Sequence, residues 1–165
     1  ITECLIVGRV SRMTVACSIC ENSFGERTNI MNKREQENRR NFIAIIEKYC
    51  HSCKPIIQHK DIASAMGVTP AMVSYYLRGS RKIPDDHLAA MCIALRLPIR
   101  TQKQVYSVLE RKMPDYNGFG DEREQIIFDY LEECREDCSK TVSACNAELI
   151  SKHLVPLTGR RGKQS

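Results

Sequence analysis

The feature that most constrains the fold of this chain is a very short turn between two helical segments, centred on Gly67. The first segment, about His59–Met66, ends at this glycine, which can adopt the left-handed conformation of a residue that follows a helix. Thr69 then has the side chain of an N-cap, and Pro70 suits the first position of a new helix. Ala63 is small enough for two helices to cross there. Two helices joined by so short a glycine-containing turn are typical of a helix-turn-helix motif.

Helical periodicity continues on both sides of this turn. Before it, apolar residues recur at helical spacing in a helix that should start at a capping box and stop near Cys50–Lys54, before Pro55. The residues concerned are Phe42, Ile45, Ile46 and Tyr49, with Asn32 and Glu35 as the capping box. The helix after the turn is expected to reach Leu77 or Arg78 and to stop at Gly79. Further helices are predicted from Pro84 to Pro98, from Thr101 to about Lys112, over Glu122–Cys138 and over Val142–His153.

Because no credible strand lies between residues 31 and 155, the sequence predicts an all-α fold. Residues 31–112 should form one helical domain, and the turn-rich residues 113–120 a linker. Residues 121–157 are then predicted to form a helical hairpin, and residues 158–165 a disordered basic tail. Residues 1–30 lack helical or strand periodicity, so we interpret them as an N-terminal extension whose place in the native protein stays open.

The apolar side chains of these helices predict the core. Four of them, Ile62, Val68, Val73 and Tyr76, should close the space between the two helices of the motif. The predicted apolar stripes of the later helices are Leu88, Met91, Cys92 and Leu95, then Ile126, Ile127, Tyr130, Leu131 and Cys134, then Val142, Cys145 and Leu149.

Charge is distributed unevenly along the chain. Residues 31–100 carry a formal net charge of +6, whereas residues 101–157 carry −4. A basic first half requires an anionic partner more than a merely solvated surface would. The acidic stretch is excluded as a nucleic-acid face.

The segment HKDIASAMGVTPAMVSYYLRGSRKIP resembles the Cro/cI-type (XRE) helix-turn-helix family, from roughly Gln58 to Leu97. The residues that carry the resemblance are Ile62-Ala63, Gly67-Val68-Thr69, Val73-Ser74 and Leu77-Arg78-Gly79. Two positions depart from the family habit, because His59 stands where a Gln is common and Leu77 where a Glu is usual. The resemblance implies a five-helix, lambda-repressor-like DNA-binding unit over Asn41–Leu97, which the hairpin would follow as an appendage.

The resemblance also implies roles for individual residues, because the second helix of such a motif lies in the major groove of DNA. The side chains expected to face bases are Pro70, Ala71, Met72 and Tyr75. Those expected to face phosphates are His59, Thr69, Ser74, Arg78, Ser80, Arg81 and Lys82. Since Pro70, Ala71 and Met72 cannot donate side-chain hydrogen bonds, they favour contact with thymine methyl groups, with Tyr75 as the polar reader.

The spacing of the cysteines suggests that some of them could bind a metal ion. Cys17-x-x-Cys20 and Cys50-x-x-Cys53 together have the ligand set of a zinc site, but 29 residues separate the pairs, which is more than ribbon-like sites use. A further cluster of Cys134, Cys138 and Cys145 is a weaker candidate. No secretory leader or membrane span is found, so we expect reduced thiols in a cytoplasmic protein, with no metal and no cofactor.

Together these observations favour a bacterial or phage-type transcriptional regulator that binds double-stranded DNA, as a possible homodimer. The chain lacks a phosphate loop, a nucleotide fingerprint and a nucleophile elbow, so we do not expect an enzyme. One alternative stays open, namely a protein-interaction module such as an antitoxin or adaptor. The other is an accessory subunit of an enzyme with a zinc knuckle.

Overall fold

The structure is a computed structural model, and it describes residues 33–114 and 121–159. This part of the chain is helical and contains no strand, which confirms the all-α prediction for it. The N-terminal extension, the capping box at Asn32, residues 115–120 of the expected linker and residues 160–165 lie outside the described residues. Cys17 and Cys20 also lie there.

The described residues contain seven helices, joined by turns and loops. They are α1 (33–52), α2 (His59–Met66), α3 (Pro70–Leu77), α4 (Asp85–Ala94), α5 (Ile99–Val108), α6 (Glu122–Glu133) and α7 (Val142–Ser151). The bounds of α2 agree with the sequence prediction, and α1 and α3 stop where it expects. The described residues from Arg39 onward form one compact unit, and residues 33–38, which are helical, group separately from it.

The predicted start of α5 at Thr101 is wrong. The helix begins at Ile99, and the carbonyl oxygen of Pro98 already accepts the first helical hydrogen bond, from the backbone N–H of Gln102 at 3.0 Å. Proline fixes φ near the value that a residue next to a helix needs, so Pro98 starts this helix as well as ending the preceding segment. The helix also stops early, at Val108, before Glu110 with its positive φ of 54°.

The predicted ends of α6 and α7 are also too late. Helix α6 stops at Glu133 instead of Cys138, and α7 stops at Ser151 instead of His153. Beyond α6 the carboxylate of Asp137 accepts from the backbone N–H of Ser139 at 2.8 Å and from its hydroxyl at 2.7 Å. Local bonds of this kind compete with helical ones, and they favour a turn at this point.

Helix α4 lies within the core of the compact unit that begins at Arg39. Its residues Leu88–Ile93 are all buried, so this part of the helix is enclosed on every side instead of burying one apolar face as predicted. It packs against α2, α6 and α7, while α2 packs against α3 and α7. A helix that is apolar all round is stable only in such surroundings.

The hairpin of α6 and α7 contributes to this same core. Every residue of its two predicted apolar stripes is buried, and so is Leu157 after α7. Thr158, which we expected in a disordered tail, is buried too, and its hydroxyl donates to the carbonyl oxygen of Met66 at 2.6 Å. Thr158 therefore belongs to the packed part of the protein. The hairpin packs against the helix-turn-helix segment and is not a separate appendage.

Candidate nucleic-acid interface

The turn between α2 and α3 has the geometry that its sequence predicts. Gly67 has φ 68° and ψ 32°, and the backbone N–H groups of Gly67 and Val68 donate to the carbonyls of Ser64 and Ala63 at 3.2 and 3.0 Å. This pair of bonds satisfies the last carbonyls of α2 in the manner of a Schellman motif. The Thr69 hydroxyl accepts from the backbone N–H of Met72, so α3 starts immediately after the turn.

The predicted core between the two helices is also present. Ala63 is 0% exposed, and Ile62, Val73 and Tyr76 are buried, while Val68 is partly buried and packs against the core. At the other end of α2, the backbone N–H of Gln58 donates to the Asp61 carboxylate at 2.9 Å. This places His59 at the first position of the helix, on the surface.

The residues predicted to face bases lie mostly on the exposed side of α3. Pro70, Ala71 and Tyr75 are exposed, and Tyr75 retains 47% of its accessible surface despite its size. Ala71 and Tyr75 are one helical turn apart, so they share a face. Met72 differs from this pattern, because its side chain is half-buried and packs against the core.

The residues predicted to face phosphates surround that face. Six of the seven are exposed, namely His59, Thr69, Arg78, Ser80, Arg81 and Lys82, and Ser74 is half-buried. Nδ1 of His59 lies 3.4 Å from the hydroxyl oxygen of Ser74, so the start of α2 adjoins the middle of α3. The Thr69 hydroxyl is engaged as the helix cap and therefore has a structural role as well.

The loop after α3, residues 78–82, folds back onto the end of that helix. The carbonyl oxygen of Tyr75 accepts from the backbone N–H groups of Ser80 and Arg81 at 3.1 and 3.2 Å, and from the Ser80 hydroxyl at 3.1 Å. Gly79 makes the reversal possible with a φ of 71°. The Arg81 guanidinium carbon lies 5.7 Å from the centre of the Tyr75 ring, within range of a cation–π contact.

Sequence reasoning missed Arg39 of α1, whose Nη1 donates to the carbonyl oxygen of Gly79 at 3.2 Å. This bond ties the loop after α3 to a helix 40 residues earlier in the chain. The sequence signal was weak, because Arg39 stands in a charged run that is equally typical of a solvated helix face.

A second polar contact attaches α3 to the interior. The hydroxyl of Tyr76 lies 2.9 Å from Nδ1 of His87 in α4, and the two rings meet edge to face with centres 5.8 Å apart. Burial lowers the pKa of His87, although the neighbouring Asp86 acts in the opposite direction. Burial also raises the pKa of Tyr76, so a neutral phenol meets a neutral imidazole at neutral pH, and the ring tautomer decides which of the two donates.

The described cysteines are free thiols, and most of them are buried. Burial raises the pKa of Cys50 to about 11 and that of Cys145 to about 12, so both are protonated at neutral pH. Over residues 33–114 and 121–159, no three His, Cys, Asp or Glu side chains are grouped so that they could hold a metal ion. The same residues contain no helix with the length and apolar character that crossing a membrane requires.

Comparisons of the chain with protein-family models, with curated proteins and with solved structures found no match. The assignment of a function therefore depends on the chemistry of the exposed face of α3 and of the loop that follows it.

Proposed function

We propose that this protein binds double-stranded DNA sequence-specifically, with α3 in the major groove, and acts as a transcriptional regulator. The observation that carries the proposal is the surface of α3 and its loop. Ala71 and Tyr75 share an exposed face, and three exposed cations, Arg78, Arg81 and Lys82, follow within seven residues. In this proposal α1–α5 form a lambda-repressor-like unit, whose resemblance to the Cro/cI family lies in the residues of the motif.

Helix and loop would divide the work of recognition. The major groove of B-DNA admits one α-helix, and the N-terminal part of such a helix reaches the base edges. Pro70 and Ala71 are exposed at that end of α3 and would pack against thymine methyl groups. The cations of the loop would contact the sugar-phosphate backbone and set the orientation of the helix without specifying sequence.

The net charge of the chain supports this division. Residues 31–100 carry +6, and residues 101–157, which include α6 and α7, carry −4. A basic surface attracts a polyanion over the distance of a Debye length, which speeds association. The acidic hairpin would lie away from the DNA, where its main contribution is to cover the core.

One observation favours the alternative of a protein-interaction module. Ile150 of α7 is 58% exposed and Val155 is 45% exposed, and apolar side chains mark a protein contact where they form a contiguous exposed patch. A second copy of the chain is one such partner, so this surface is compatible with a DNA-binding homodimer as well. A measurement of DNA binding therefore distinguishes the transcriptional regulator from the protein-interaction module.

The experiment is a titration of duplex DNA, first selected from a random pool, at several salt concentrations. We expect affinity to fall steeply with salt, because cations that contact phosphates release counterions when they bind. Arg78→Gln and Lys82→Gln should each weaken binding to all sequences alike and lower the salt slope by about one unit.

Arg135→Gln is the matched control, since Arg135 is exposed after α6 in the acidic half of the chain and should leave the slope unchanged. Circular dichroism melts establish that the variants are folded. Absence of salt-dependent binding by the folded wild-type protein would exclude the proposed function and leave the protein-interaction module.

A further inference from the structure

The exposed face of α3 is poor in hydrogen-bond donors. Neither Pro70 nor Ala71 has a polar side-chain atom, Met72 is half-buried, and the Tyr75 hydroxyl is a single polar group. Purines are distinguished in the major groove mainly by paired hydrogen bonds, such as those of an arginine with O6 and N7 of guanine. The side chains of α3 alone therefore offer thymine contacts and no bidentate reader.

The loop after α3 supplies the missing type of side chain next to Tyr75. Two backbone hydrogen bonds from Ser80 and Arg81 to the carbonyl oxygen of Tyr75 bend the chain back toward α3. A third hydrogen bond to the same bend comes from Nη1 of Arg39, which donates to the carbonyl oxygen of Gly79. The Arg81 side chain then lies over the ring of Tyr75, with its guanidinium carbon 5.7 Å from the ring centre.

We propose that Arg81 reads a guanine in the major groove and that Tyr75 is the platform that positions it. The proposal rests on the proposed DNA-binding function, and it changes the expected role of Arg81 from phosphate contact to base contact. Both side chains are exposed, so neither has to leave a packed environment to reach DNA.

The chemistry favours arginine in this position. A guanidinium is planar, can stack on aromatic rings and presents parallel N–H donors, so a ring beside it, such as that of Tyr75, would limit the planes from which the two donors can point. Less side-chain freedom is then lost on binding, which is the general advantage of a preorganised contact. A lysine carries the same charge but has neither the fork nor the stacking geometry.

Arg78 is the matched comparison within the same surface. It has the same side chain, is exposed and lies three residues from Tyr75, at the C-cap of α3. In our proposal it stays a phosphate contact. Charge and residue type are therefore equal at the two positions, and the proposed role in reading sequence is confined to Arg81.

The test is selection of bound sequences from random duplex DNA by the wild-type protein and four variants, followed by titration of the selected site. We expect the wild type to select one guanine per half-site. Arg81→Lys should lose this preference by about 10-fold or more while it keeps its charge and its salt slope. Tyr75→Ala should lose the same guanine, Tyr75→Phe should keep it because the ring remains, and Arg78→Lys should keep it too.

The remaining outcomes are distinct. A wild-type site without a preferred guanine, or an Arg81→Lys variant that still selects it, overturns the proposal while DNA binding itself stands. Loss of the guanine with Tyr75→Ala and not with Arg81→Lys makes the tyrosine the reader, which also overturns it. Failure of the folded wild type to bind DNA in a salt-dependent way overturns the DNA-binding function and this proposal with it.

Discussion

Tyr75 and Tyr76 are neighbours in the sequence and have opposite surroundings. Tyr75 is 47% exposed, whereas Tyr76 is 3% exposed, because successive side chains of a helix point about 100° apart. A buried tyrosine needs a partner for its hydroxyl, and His87 provides it at 2.9 Å. The face to which each tyrosine belongs follows from the sequence. The pairing with His87 does not, because it joins two helices whose relative placement no local pattern specifies.

The pairing predicts a dependence of stability on pH. The pKa of His87 lies below its usual value near 6.5 in the folded protein, because burial disfavours the charged imidazole. The unfolded chain therefore takes up the proton first as the pH falls, and folding is weakened below about pH 6.5. We expect the free energy of unfolding of the wild type to fall between pH 7.5 and 5 by more than that of His87→Gln.

Glutamine is the suitable replacement, because its amide can either accept from or donate to the Tyr76 hydroxyl and it does not titrate. His51→Gln is the control, since His51 is exposed at the end of α1. Urea denaturation at each pH supplies the free energies. An identical pH dependence for the wild type and His87→Gln would show that His87 is not responsible.

At the scale of single elements, sequence predicted best where local chemistry alone determines the geometry. Gly67, Thr69 and Pro70 specify the end of α2 and the start of α3 by their own backbone and side-chain preferences, and both bounds are as predicted. The C-terminal end of α6 depends on a distant partner as well. Arg96, before α5, donates to the carbonyl oxygens of Cys134 and Cys138 at 3.2 and 3.0 Å and so occupies acceptors beyond the last turn.

The candidate site divides in the same way. The exposure of Pro70, Ala71 and Tyr75 follows from helical periodicity, so the sequence was sufficient to predict it. The bond from Arg39 to Gly79 and the cation–π contact of Arg81 with Tyr75 depend on how the loop after α3 folds back. Neither contact leaves a signal in residue spacing, because one joins residues 40 positions apart and the other depends on the αL conformation of Gly79.

The segment after α7 holds the end of α2 through Thr158. Its hydroxyl donates to the Met66 carbonyl at 2.6 Å and accepts from Nδ2 of Asn146 at 3.0 Å. Thr158→Val keeps the shape and removes both bonds, so it should lower the free energy of unfolding by about 1–3 kcal/mol, the cost of leaving a buried carbonyl unsatisfied. Urea denaturation of the variant and the wild type measures this difference.

Thr158→Ser is the matched control, because it keeps the hydroxyl. It should therefore keep most of the stability that Thr158→Val loses. Asn146→Ala removes the partner in α7 and should weaken the protein as well. If Thr158→Val were as stable as Thr158→Ser, the hydroxyl would make no net contribution, and the segment would be held by the packing of Leu157 and by its backbone N–H, which donates to Oδ1 of Asn146 at 2.8 Å.

At the scale of the whole molecule, the turn-rich sequence between α5 and α6 is misleading. It is typical of a linker between domains, yet α6 of the hairpin is bonded to both α4 and α5. Nε2 of the buried Gln102 donates to the carbonyl oxygens of Leu97 and Leu131 at 2.8 and 2.7 Å. Arg123 of α6 pairs with Asp86 at 2.9 Å. The composition of a connecting segment thus says little about whether the elements that it joins share a core.

This shared core predicts that the helix-turn-helix segment does not fold stably alone. Truncation after Lys112 removes Ile126, Ile127, Leu131 and Leu149, all of them buried in the core that also contains α2 and α4. Loss of one such leucine costs about 2–5 kcal/mol, and domains are stable by only about 5–15 kcal/mol. The truncated chain should therefore lose its cooperative thermal transition and, with it, any DNA binding.

Circular dichroism melts of the full chain and of the truncated chain measure this effect, with Leu131→Ala in the full chain as an intermediate case. Leu131 is almost completely buried, so the variant should still melt cooperatively but at a lower temperature. A truncated chain that melts as cooperatively as the full one would mean that α1–α5 close their own core. The hairpin would then be an appendage after all, and its apolar side chains would be available for contact with a second copy.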